Sequence, residues 1–131
     1  MAVEKKKVTV AIVGLGRVGS TFLVKLAERE GQGVSIVGAV ERDAKSAGVG
    51  VAKDKGVKVF NDTKDVVSMG DEVDIIFDLT GNPDARKNLR GDLARSGNQH
   101  TVIAPEVVAF LIWDLMGGKE DFPGGHKKSG Y

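Results

Sequence analysis

Gly14, Gly16 and Gly19, with Leu15, Arg17 and Val18 between them, form the segment of this 131-residue chain that points most directly to ligand chemistry. The segment follows a β-branched run, Val8–Val13 (VTVAIV), and opens a helical pattern. In that setting each glycine has its own role. Gly14 allows a tight turn, Gly16 lets an anionic group approach the backbone, and Gly19 lets helix and strand pack closely. The helix N-terminus adds unpaired N–H groups and a partial positive charge, which suit a pyrophosphate. Glu41 stands 22 residues after Gly19, at the end of a second strand pattern. A carboxylate there accepts hydrogen bonds from ribose hydroxyls, so the expected ligand is a dinucleotide. It would also repel a 2′-phosphate, which favours NAD(H) over NADP(H). Arg42 pulls the other way, since it could meet such a phosphate or stack on adenine. The competing reading makes the glycines a tight turn only and Glu41 a solvated strand end.

Thr80-Gly81-Asn82-Pro83 is the third element. It follows the fourth strand pattern and falls beside the first strand in a doubly wound order, at the crevice where such sheets bind ligands. Thr80 and Asn82 offer side-chain hydrogen bonds and Gly81 allows close approach. A capped turn into a helix needs the same residue types, and both roles can hold together. Asp78, just before, either touches a ligand or serves a nearby N–H, and Asp74 shares its face of the strand. No nucleophile or catalytic base can be named. His100 reads as a surface residue at a strand entry, His126 as solvated, and their spacing suits no metal.

The elements that must position these residues alternate. Strands are expected at Val8–Val13, Val34–Val40, 57–60, 73–79 and 101–104. Helices are expected at 17–30, 47–55, 63–68, 83–95 and 105–116, several of them stopped by glycine. Strand–helix alternation at this spacing implies right-handed crossovers and a parallel sheet. The fold class is therefore α/β, a doubly wound, three-layer α/β/α sheet of Rossmann type in the order 3-2-1-4-5. Residues 1–117 make the domain, and 118–131, polar and glycine-rich, read as a tail or linker.

Composition narrows the function classes. A net charge of +1, with 41% hydrophobic and 28% charged residues, gives no electrostatic reason to expect nucleic acid or an anionic membrane. The chain has no cysteine, which removes disulfides, thiolate nucleophiles and thiolate metal sites. The longest apolar run is far below the ~20 residues that span a bilayer, and the amino end lacks the apolar core of a signal peptide. A cytoplasmic location follows as the default. Arg86, Lys87, Arg90 and Arg95 read as the solvated face of one helix.

The helix at 105–116 is apolar almost all round, with Val107, Val108, Phe110, Leu111, Ile112, Trp113, Leu115 and Met116. One sheet surface covers only one stripe of such a helix. The remainder predicts a homodimer or a partner domain docked through it, unless the helix is deeply buried within its own small domain.

The segments VAIVGLGRVG and VDIIFDLTGNPDARKNL, with an acid after the second strand, resemble the amino-terminal domain of the glucose–fructose oxidoreductase and inositol dehydrogenase family. They are also similar to the cofactor domains of homoserine, aspartate and acylating acetaldehyde dehydrogenases. The resemblance covers roughly residues 8–104. It implies Gly14, Gly16, Arg17, Val18 and Gly19 at the pyrophosphate, Glu41 at the ribose, and Thr80 to Pro83 near the nicotinamide half. Two departures matter. Ala104-Pro105-Glu106 stands where the first family has Glu-Lys-Pro with a catalytic lysine. The second domain that supplies most substrate contacts in those enzymes is not expected within this sequence. The expected function is thus a stand-alone NAD(H)-binding domain, either a nicotinamide sensor or a cofactor-binding subunit. The alternative is an NAD(P)-dependent oxidoreductase, or a fragment of one, whose catalytic groups come from a partner or missing domain.

Overall fold

The computed structural model describes residues 7–117; the expected tail at 118–131, with His126, lies outside them. Five parallel strands form one sheet in the order β3-β2-β1-β4-β5, as the alternation predicts. The strands are β1 (Val8–Val13), β2 (Val34–Val40), β3 (Val59–Phe60), β4 (Ile75–Asp78) and β5 (Val102–Ala104). The helices are α1 (Arg17–Ala27), α2 (Ala47–Asp54), α3 (Thr63–Val67), α4 (Pro83–Arg95) and α5 (Glu106–Leu115), with a 3-10 turn at Gly70–Glu72.

β1 lies at the centre, and its residues alternate between two apolar layers. Val10 and Ile12 join Phe22, Leu23 and Leu26 of α1, Val49 and Ala52 of α2, and Ala109 of α5. Ala11 and Val13 join Val66 of α3 and Leu89 of α4 on the other face. A strand buried on both sides explains why the run reads as continuously apolar rather than alternating.

Several boundaries differ from the sequence expectation for local reasons. α1 stops at Ala27 instead of Glu30. The Glu30 carboxylate accepts the Ile36 and Gly31 amides, both at 3.0 Å, and so closes a turn rather than extending the helix. β4 is shorter than residues 73–79, because Val73 closes the 3-10 turn. Arg86, expected on a solvated face, is instead 1% exposed.

On α5 only Glu106 and Ala109 are buried. Val108, Ile112, Trp113 and Met116 pack partway against the α1 layer. Val107, Leu111 and Leu115, spaced by four, are 40%, 57% and 74% exposed, so the helix is not absorbed into its own domain. Among the described residues no helix is long and apolar enough to cross a membrane.

Candidate functional site

The glycine loop carries the backbone its spacing implies. Gly14 has φ +96°, a left-handed conformation that side chains rarely adopt, and its amide donates to the Val40 carbonyl at 2.8 Å. A Cβ on Gly19 would stand 1.7 Å from the Gly14 carbonyl oxygen, so helix and loop touch backbone to backbone there. Gly16 is the opposite case. It precedes α1, and a Cβ added there would meet nothing within 4 Å. No side chain caps α1 and no acid occupies its first turn, so its positive end is open. The loop is thus closed on the protein side and free on the outer side, a cradle that fits a phosphate group.

Glu41 follows β2 and joins the loop directly. Its Oε1 accepts the Leu15 amide at 2.9 Å and its Oε2 accepts the Asp43 amide at 3.0 Å. Each carboxylate oxygen keeps acceptor capacity beyond these bonds. The Leu15 side chain is fully buried in the core, so that residue offers only its backbone. α2 supports the same loop closely, since a Cβ on Gly48 would lie 1.8 Å from the Leu15 carbonyl oxygen.

The loop after β4 is held from beneath. Asp78 Oδ1 accepts the Thr80 hydroxyl at 2.7 Å and its amide at 3.1 Å. Thr80 Oγ1 accepts the Asn82 amide at 3.1 Å. Asn82 caps α4 by accepting the Asp84 and Ala85 amides at 2.9 and 3.3 Å, and Pro83 takes the first turn. Gly81 has φ +66°. The capped-turn reading of this segment therefore holds, and Asn82 uses only its carbonyl oxygen for it. Asp78 serves the turn and also pairs with Arg86, whose Nε lies 2.7 Å from Oδ2. Arg86 also donates to the Asp78 carbonyl at 3.1 Å.

These segments line one cavity of about 300 Å³ at the carboxyl ends of β1, β2 and β4. Of the residues singled out from sequence, Gly14, Gly16, Glu41, Arg42, Thr80 and Asn82 line it. Leu15, Arg17, Val18, Gly19, Gly81 and Pro83 do not; they shape the turns, pack inward or face solvent. Sequence reasoning missed Val13, Val40, Leu79, Thr63, Ala85 and Asn88 as walls. The first three are strand ends. Ala85 and Asn88 follow Asn82 at helical steps of three, a signal that was readable. Thr63 comes from the short α3, whose position no local pattern fixes.

At the opposite end of the sheet Asp74 joins His100 and Thr9. Its Oδ1 lies 2.5 Å from His100 Nε2 and its Oδ2 accepts the Thr9 amide at 3.0 Å. The bond to His100, then that to Thr9, holds the Asp74 carboxyl below the usual carboxylate range. The Thr9 hydroxyl donates to the Glu72 carbonyl, so this cluster ties strand starts together and contains no activated nucleophile. Among the described residues no cluster of three His, Asp or Glu side chains could hold a metal ion.

No family model matches the chain, and no curated protein matches it in sequence. Solved structures do match. An apo scyllo-inositol dehydrogenase from Lactobacillus casei aligns with TM-score 0.60 and 20% identity over 87% of this chain and 34% of its own. A homoserine dehydrogenase from S. aureus gives 0.58 and 22% over 87% and 31%. The WlbA dehydrogenase from Bordetella pertussis, in complex with NADH and UDP-GlcNAcA, gives 0.60 and 15% over 86% and 35%. The fold is the Rossmann-type α/β fold that these dehydrogenases contain. This chain spans about a third of their length.

Proposed function

We propose that this chain is a dinucleotide-binding domain that takes NAD(H) in the crevice between the glycine loop and the loop after β4. One observation carries the reading: a glycine cradle open only at Gly16 shares a cavity with the carboxylate of Glu41. A turn that only supports the fold would use Glu41 to hold the Leu15 amide but would not need the open face beside it. In this reading the α1 N-terminus holds the pyrophosphate, Glu41 the adenosine ribose, and Thr80 and Asn82 the nicotinamide half. Glu41 favours NAD(H) over NADP(H). The domain acts as a nicotinamide sensor or as a cofactor-binding subunit. Calorimetric titration of the purified chain with NADH, NAD⁺ and NADPH tests this. Binding with preference for the unphosphorylated forms supports it, and no binding to any of the three sinks it.

The second reading is an oxidoreductase completed by another domain or subunit. It is favoured by the apolar stripe that α5 leaves exposed. The exposed Val107, Leu111 and Leu115 stripe would then seat a second copy or a further domain. Substrate-dependent absorbance change at 340 nm with hydroxy acids, amino acids and sugars separates it from the first reading. Mass in solution tests the second copy.

A further inference from the structure

Asp78, Arg86, Thr101 and Glu106 are the polar residues buried among those described. Asp78 and Arg86 neutralise each other, and Thr101 is hydrogen-bonded to Asn98 and the Val73 carbonyl. Glu106 is different. It is 7% exposed, and no hydrogen bond or ion pair engages its carboxylate among the described residues. It does not cap its own helix through its side chain either. Among the described residues no fully buried side-chain polar atom is left unpartnered, so its oxygens are not sealed in the core but reach the adjoining space.

Glu106 does not line the cavity itself but borders the loop after β4 that forms one of its walls. Glu106 opens α5 directly after Pro105 at the end of β5, the strand beside β4. Its Oε1 lies 3.4 Å from where a Cβ on Gly81 would stand. Gly81 sits between Thr80 and Asn82, which both line the cavity. A dinucleotide with its ribose at Glu41 and its pyrophosphate at the glycine loop brings its nicotinamide to this side. The oxidised ring carries a positive charge and the reduced ring is neutral. Asp78 is paired with Arg86, which leaves Glu106 as the buried acid without an ion-pair partner among the described residues.

We infer that Glu106 is a specificity residue that makes the site prefer the oxidised, cationic nicotinamide to the reduced one. This rests on the dinucleotide reading above and gives it a direction: the domain fills when the pool is oxidised and empties as it is reduced. An opposite charge a few ångströms away in a partly screened site changes affinity by roughly tenfold.

The test titrates the full chain and its Glu106→Gln and Glu106→Asp variants with NAD⁺, NADH and ADP-ribose, with circular dichroism confirming each fold. The wild type should bind NAD⁺ about tenfold more tightly than NADH. Glu106→Gln should bring that ratio near one without changing the affinity for ADP-ribose, and Glu106→Asp should keep much of it. An unchanged ratio in Glu106→Gln, or equal binding of both forms by the wild type, overturns the inference while ADP-ribose binding leaves the dinucleotide reading standing. Failure of all three ligands to bind the folded wild type overturns both. Should Glu106→Gln not fold, the wild-type ratio and the Glu106→Asp variant decide.

Discussion

The Glu41 carboxylate accepts the Leu15 amide at 2.9 Å and so ties the end of β2 to the middle of the glycine loop. The residue proposed to read the ribose also helps to hold the shape of the glycine loop. Glu41→Ala should therefore weaken NADH by about tenfold, the loss of one or two hydrogen bonds near 1 kcal/mol each. NADPH should lose less, because repulsion of its 2′-phosphate goes with the carboxylate. Calorimetry on both cofactors checks the order, and a larger loss for NADPH would remove the ribose role.

Gly16 and Gly19 separate binding from folding. Gly16→Asp adds a side chain where nothing lies within 4 Å, so thermal stability should hold while size and charge abolish dinucleotide binding. Gly19→Ala puts a methyl 1.7 Å from the Gly14 carbonyl oxygen, which forces the loop and α1 apart. That overpacking should cost about 1–3 kcal/mol in urea unfolding as well as binding. Equal stability loss in both variants would contradict the cradle geometry.

Arg86 and Asp78 form an ion pair with both side chains almost wholly buried. Arg86→Met strands the Asp78 carboxylate in the interior and should destabilise the fold by about 3–5 kcal/mol. Adding Asp78→Leu should recover part of that, yet leave the loop at Thr80 without its acceptor. Urea midpoints of the single and double variants measure the first effect, and dinucleotide affinity measures the second.

Asp74 gives the acid limb of stability a defined origin. Its carboxyl is depressed in the folded state, chiefly by His100. A depressed carboxylate stabilises the fold above its unfolded value, about 3.9 for Asp, and that contribution is lost as pH falls through the folded value. Asp74→Asn should be less stable than the wild type at neutral pH, and the gap should shrink below about pH 4. Urea midpoints measured across that range check the sign; a gap that widens in acid would refute it.

The strand order and the glycine cradle are legible in the sequence because each rests on local chemistry. β-branched runs, glycine stops and the Gly14–Gly19 spacing are read within a few residues of one another. Arg86 is not legible. On α4 it looks like its neighbours Lys87 and Arg90, and only the eight-residue step back to Asp78 shows that it turns inward. Glu106 stands out in the sequence only as a departure from Glu-Lys-Pro, because its burial depends on α5 docking beside the loop after β4. The Glu41–Leu15 bond is hidden for the same reason: spacing shows where an acid stands, but not that a backbone N–H already occupies it. The exposed stripe on α5 follows from composition, since a helix apolar on all sides has more face than one sheet can cover.

The sheet order also decides when the crevice comes into being. β1 pairs on one side with β2 and on the other with β4, where Val10 meets Ile75. As the chain leaves the ribosome, the glycine loop and Glu41 emerge early, while the opposite wall waits for β4 and α4. Such long-range parallel pairing is slow, because chain entropy is lost before the contacts repay it. A nascent chain stalled before β4 would carry half a binding site with nothing to close against. On the dinucleotide reading, ligand capture would report that the longest-range strand pairing, β1 with β4, has formed.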